Sequence, residues 1–163
     1  MAINDVRIKD SYVSVPVREY QVAAAATLIY PGEPVKLSAA GAVDVIKLAD
    51  NEPVIGTTTQ LCGIAASLST NTAAAAGKVN VYVLLPEVVY ECAATTPANI
   101  DTQAKLDALV GDNVLFDLTS TTFTVDENAG NAATSGLQIV GGDPKRGLIY
   151  FIVRPSATFG AIA

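Results

Sequence analysis

Sixteen carboxylates, two thiols and no histidine set the limits of what this chain can do chemically. Without an imidazole it lacks the commonest general base, the commonest metal ligand and the usual partner of a Ser or Cys nucleophile. A carboxylate-only mechanism needs two acids brought together in a concave site. The candidates are Asp44, Asp50, Glu52, Glu87, Glu91, Asp107, Asp112, Asp117, Asp126, Glu127 and Asp143. Most fall in turns or at strand ends, where Asp and Glu ordinarily cap turns or face water. No spacing pairs any two of them, so the chain reads as something other than an enzyme.

Two further motifs carry less than they first suggest. Asp126-Glu127-Asn128 is acidic but lacks the ligand spacing of a calcium loop, and strand-like sequence flanks it. Gly141-Gly142 has no following Lys-Ser/Thr and no helix opening after it, and Asp143-Pro144 would set a negative charge against a phosphate. These four residues read as a turn between strands. Cys62 and Cys92 stand thirty residues apart inside apolar runs with no CxxC, which predicts two buried thiols and neither a redox pair nor a thiolate metal site. No metal and no cofactor is expected.

The net charge of −6 and ten scattered basic residues argue against nucleic acid as a partner, because phosphate neutralisation needs clustered Lys and Arg. Anionic membrane surfaces are disfavoured on the same ground. No apolar stretch reaches the length of a membrane-spanning helix. Met1-Ala2-Ile3-Asn4-Asp5 lacks the basic and apolar regions of a secretory signal, so synthesis in the cytoplasm is the expectation. Half the residues are apolar while only 16% are charged. Ala, Thr, Ser and Gly must then supply much of the surface, as suits a protein that buries part of it against other subunits.

The elements that would position these residues are mostly strands. Pro34–Leu37, 42–46, 54–56, Leu61–Ala65, 78–83, 87–92, 113–118, 122–125, 137–140 and 147–153 alternate or run apolar between Gly, Pro and Asn turns. Pro86 separates two of these runs and suggests one bent strand that changes sheet. One short helix, about 102–110, has Asn99 or Asp101 as a cap, an apolar stripe of Leu106, Leu109 and Val110, and Gly111 to end it. The small-residue stretches 67–77 and 126–136 read as loops. The chain is therefore expected to be a single mainly-β domain over 1–163: an antiparallel sandwich or barrel of nine or ten short strands with one connector helix. An N-terminal arm (1–20), in which Tyr12, Val13, Val15 and Val17 alternate with Ser14 and Pro16, and a C-terminal tail (155–163) complete it.

The rhythm of Tyr30-Pro-Gly-Glu-Pro-Val-Lys-Leu37, Gly41–Val45, Val54-Ile-Gly56 and Leu61-Cys-Gly-Ile-Ala65 resembles the head decoration, or cement, proteins of tailed bacteriophages. The C-terminal half is similar to small phage virion proteins in its Val-rich strand, its Leu-Phe-Asp-Leu strand and its Gly-Asp-Pro-Lys-Arg-Gly before a final apolar strand. Together these segments cover about half the chain and contain turns and strands without chemistry. The resemblance implies a non-catalytic homo-oligomer, most simply a trimer, that binds the outside of a capsid shell and braces it. Its partners would be the major capsid protein and copies of itself, and its place the virion surface. Val6, Ile8, Tyr12, Val13 and Val15 are then the expected docking arm, adding a strand to a sheet edge of the shell protein. Two other readings stand beside it. One is a different virion component, such as a tail-tube, connector or fibre subunit; the other is a ligand-binding β-sandwich, for which the absence of Trp removes the usual sugar-stacking platform.

Overall fold

The computed structural model describes residues 5–11, 14–39, 42–56, 61–85 and 87–158. Among them are eleven strands: β1 (Arg7–Asp10), β2 (Val17–Val22), β3 (Pro34–Leu37), β4 (Val45–Lys47), β5 (Leu61–Ala65), β6 (Gly77–Val83), β7 (Val89–Ala93), β8 (Asn113–Thr119), β9 (Thr122–Asp126), β10 (Leu137–Asp143) and β11 (Leu148–Val153). One helix, α1 (Gln103–Leu109), interrupts them. The strands form two antiparallel sheets, one ordered β1-β7-β11-β10-β8-β9 and the other β2-β6-β5-β3-β4. Neither ladder closes into a barrel, so of the two expected architectures the chain takes the two-sheet one.

Local sequence accounts for most of these strands. In β6 Val79 and Val81 are buried while Lys78 and Asn80 are exposed, the period of two that a half-buried strand requires. In β11 the run Leu-Ile-Tyr-Phe-Ile-Val is rich in β-branched and aromatic side chains, and Leu148, Ile149, Phe151 and Val153 are buried. The helix is capped by Thr102, whose hydroxyl accepts from the Lys105 amide, and not by Asn99 or Asp101 as its sequence suggests. Gly111 ends it at φ +97°, the left-handed conformation glycine adopts without strain. Only Leu106 of this helix is buried, so α1 is a lid on a sheet end.

The buried apolar side chains gather into two cores. In the five-stranded sheet the edge strand β2 touches the residue just before the other edge strand at one parallel bridge, Gln21 with Asp44. Enclosed there are Val22, Ile29, Val35, Leu37, Val45, Cys62, Val79 and Val81. In the six-stranded sheet β9 returns to the chain just after β7 through the bridge of Ala94 with Val125. The Thr95 amide donates to the Val125 carbonyl at 2.9 Å, and the Thr95 and Thr124 hydroxyls meet at 2.7 Å. This larger core is organised by aromatic rings: Phe116 lies edge-on to Phe151 (5.5 Å) and to Phe123 (6.0 Å), and Tyr90 stacks on Phe151 (5.8 Å). Leu48, Leu61, Ile64 and Leu84 reach into it from the other half of the chain. Three more bridges join the halves: Glu52 with Phe116, Val54 with Ser135, and Leu61 with Thr158.

The chain's route is uneven. Its first strand belongs to the six-stranded sheet, the next five build the whole five-stranded sheet, and β7 then returns to pair with β1. The bent strand expected around Pro86 is thus two strands in different sheets, with Pro86 itself outside the described residues. The turn expected at Gly141–Pro144 also moves. β10 runs on through Asp143, its register against β11 shifting between Ile139 and Gly141, and a Cβ on Gly142 would lie 2.4 Å from the Leu148 carbonyl oxygen. Glycine serves close strand approach at that position, and the turn falls three residues later, at 144–147. The run 54–56 is a bridge and a turn and not a strand. The start of the C-terminal tail is docked: Pro155–Ala157 forms a 3-10 turn with Ala157 buried, and 159–163 lie outside the described residues.

Candidate interaction surface

The N-terminal segment is the docking arm expected from sequence, yet its described residues are woven into both sheets. Val6 is 2% exposed and belongs to the larger core. Its amide donates to the Gly32 carbonyl at 3.1 Å, in the turn that opens β3. The neighbouring Asp5 carboxylate accepts from the Phe123 amide of β9 at 2.8 Å. Ile8 sits in β1, partly exposed, opposite Tyr90. Val15 packs partly buried against the larger core, and Tyr12 and Val13 lie outside the described residues. The described residues of 5–22 therefore clasp the two halves together. The physical reason is that Val6 has an apolar site to fill and Asp5 a strand amide to satisfy, which alternation read along the sequence does not reveal.

The two N-terminal strands present different edges. β1 carries a bulge between Ile8 and Asp10, and it is flanked by charge: Arg7 lies 3.7 Å from Glu91, and Lys9 sits over the Tyr150 ring at 5.1 Å. A bulge with positive charges is how natural sheets blunt an edge against further pairing. β2 is regular. It pairs with β6 without a break from Val17↔Tyr82 to Val22↔Gly77, and only its far end meets Asp44. Val17, Arg18 and Glu19 are exposed on both faces of this strand, and Val17 is 50% exposed. Among the described residues no strand pairs with the outer edge of β2 at 17–20, which carries Arg18 and the ion pair of Glu19 with Lys78 (2.6 Å).

Beside the far end of β2 is a shallow apolar groove lined by Val22, Ala25, Ile29, Val45, Ile46 and the stem of Lys47. The loop that forms one wall is held by a buried polar cluster. Asn71 donates to the Ala25 and Thr27 carbonyls (2.8 and 3.1 Å), Ser69 donates to Asn71 (2.6 Å) and accepts from the Ile29 amide (2.9 Å). The small-residue stretch 67–77, which reads as a plain loop, thus carries two buried polar residues that fix another loop.

Five of the acidic residues are absorbed by structure. Glu33, 1% exposed, accepts from Lys47 and from the Tyr30 amide, each at 2.7 Å. Glu52 binds Lys36 (2.6 Å) and the Ala49 amide (2.8 Å). Asp50 accepts from the Leu118 amide, and Asp143 from the Lys145 and Arg146 amides. Glu127, buried in the loop 126–136, holds the Thr96 amide and the Asn99 side chain. No three Cys, Asp or Glu side chains gather into a metal-binding group among the described residues. Cys62 and Cys92 form no disulfide and lie in different cores, and burial pushes their thiols up to about 11 and about 12. Among the described residues no helix is long and apolar enough to cross a membrane.

Compared with known proteins, the chain matches no family model and no curated sequence.

Proposed function

We propose that this protein is a non-catalytic structural component of a tailed-phage virion that binds the outside of the capsid shell as a homo-oligomer and braces it. The major capsid protein is its partner, a trimer the simplest assembly, and the virion surface its destination. The observation that carries the reading is the edge strand β2, regular in register, with Val17, Arg18 and Glu19 exposed and, among the described residues, no strand paired outside it. Such an edge accepts an extended segment of another protein by continuing the sheet, with main-chain hydrogen bonds supplying affinity. Low surface charge and the sequence resemblance to decoration proteins support the same reading. Many weak contacts of this kind become firm when the ligand is a lattice and the binder is itself oligomeric.

The test is co-sedimentation of the purified protein with expanded and unexpanded phage shells that lack it. Saturable binding to expanded shells, lost on Val17→Asp with Arg18→Glu while the fold persists by circular dichroism, is the expected result. Absence of binding to any shell would overturn the proposal.

A further inference from the structure

One glycine on the outer face of the six-stranded sheet is not required by the fold. Gly142 is needed where it stands, because its Cβ would collide with the Leu148 carbonyl. Gly141 is different. Its φ lies outside the left-handed region, and a Cβ there would only touch Tyr150 Cδ2, at an ordinary 3.6 Å. The register shift just before it is made without a left-handed residue. Glycine weakens a strand interior, and where the backbone does not demand it, it marks a place of close approach by a ligand.

What Gly141 keeps clear is the ring of Tyr150, its direct partner across β10 and β11. Ile149 and Phe151 point into the larger core, so Tyr150 between them points outward, half-buried. Beside it opens a cleft of about 450 Å³, between the residues that lead into α1 and the β10–β11 turn. Asp101 and Gln103 line it from the first side, Asp143 and Lys145 from the second. Both carboxylates are fixed through one oxygen. Asp143 Oδ1 accepts from the Lys145 and Arg146 amides (3.1 and 3.3 Å), and Asp101 Oδ1 from the Lys105 ammonium (2.7 Å). The other oxygen of each holds no hydrogen bond to a described residue.

This mixture of groups selects among ligands. An anion would face two carboxylates. A cation would find Asp101 already paired with Lys105 and Lys145 beside Asp143. Its aromatic contact is also taken, by Lys9, which sits over the Tyr150 ring at 5.1 Å from outside the cleft. A neutral hydroxyl both donates and accepts, so it suits carboxylate oxygens set beside an amide and an ammonium. A sugar ring adds a face of weakly positive C–H groups for the negative face of an aromatic ring.

We propose that this cleft binds a neutral saccharide, its ring laid against Tyr150 in the space that Gly141 leaves and its hydroxyls held by Asp101 and Asp143. Tyr150 takes the stacking role for which the chain has no Trp. The inference is independent of the shell contact, which lies on β2 in the other sheet.

The test is amide NMR of the nitrogen-15-labelled full-length protein, titrated with maltotriose, cellotriose, triacetylchitotriose, lactose and mannobiose. N-acetylneuraminic acid, and glucosamine at mildly acidic pH, serve as the charged probes. The expected result is saturable, millimolar-range shifts with at least one neutral saccharide, centred on 101–103, 141–145 and Tyr150, and none with the charged probes. Gly141→Val suits a strand and fills the space over the ring, while Tyr150→Leu removes the ring and keeps an apolar side chain. Each should lose the shifts while circular dichroism and melting stay close to wild type, and if one fails to fold the other decides. Absence of saturable shifts with every neutral saccharide, shifts centred elsewhere, equal shifts with a charged probe, or shifts that survive in a folded variant would each overturn the proposal.

Discussion

The amide of Phe123 donates to the carboxylate of Asp5 across 118 positions of sequence, at 2.8 Å. This one bond ties the chain's beginning to the last strand of the six-stranded sheet. Burial raises the Asp5 carboxyl above its usual range, outweighing the lowering pull of the Phe123 amide and of Lys47. The folded protein therefore holds a proton at Asp5 more readily than the unfolded chain does. Stability from this group is fully present below the unfolded value of 3.8 and is lost as pH rises through the folded one. Wild-type protein should gain thermal stability relative to Asp5→Asn as pH falls from neutrality towards the unfolded value of 3.8. Melting curves of both at several pH values check the sign, and a constant difference would contradict it.

Val6 anchors the same segment. Val6→Ala removes two methyl groups from a site 2% exposed and should cost about 1.5–2.5 kcal/mol in urea unfolding. Removing residues 1–10 should cost considerably more, because it also bares the β7 edge and the Phe123 amide. A deletion that unfolds at the wild-type urea midpoint would show that the clasp is not structural.

Lys47 faces Glu33, which is almost wholly buried, so breaking their pair strands a charge. Lys47→Met alone should destabilise by about 2–4 kcal/mol, less than for a fully enclosed pair because Lys47 is 20% exposed. Adding Glu33→Gln should recover more than half of the loss, since the neutral amide still accepts from the Tyr30 amide. A double-mutant cycle in denaturant measures the coupling directly.

Asn71 and Gly77 form a second point of sensitivity. Asn71→Ala leaves the carbonyls of Ala25 and Thr27 without their donor and should cost about 2–4 kcal/mol. A Cβ at Gly77 would stand 2.1 Å from the Asn71 amide nitrogen, so Gly77→Ala should reduce soluble yield sharply, and comparison of soluble fractions tests this. Gly111→Ala makes the contrast, because no neighbour lies within 4 Å and only its positive φ opposes the change.

How far the sequence can be read depends on burial. Pro34–Leu37 and Leu61–Ala65 coincide with β3 and β5, because short apolar runs between turn residues leave few other structures open. The helix is legible from its stripe and Gly111, while its cap is displaced by one residue to Thr102. That the two N-terminal strands belong to different sheets is not legible. Arg-Ile-Lys-Asp and Val-Arg-Glu-Tyr are largely exposed on both faces, so no alternation betrays them; only their partners in β7 and β6, far along the chain, make them strands. The acids expected at turns are there in Asp50, Asp126 and Asp143. Glu33 carries no signal, because nothing in Pro-Gly-Glu-Pro announces a buried carboxylate paired with Lys47.

The order in which the strands are laid down has a temporal side. During synthesis residues 17–83 emerge before β7 exists, and they contain every strand of the five-stranded sheet. That half can assemble while the ribosome is still at work, whereas β1 must wait, unmatched, for β7 to appear and for β9 to supply the Phe123 amide. A strand made before the whole five-stranded sheet is thus among the last to find its place, and β1 serves as a latch set only when β7 and β9 have been made.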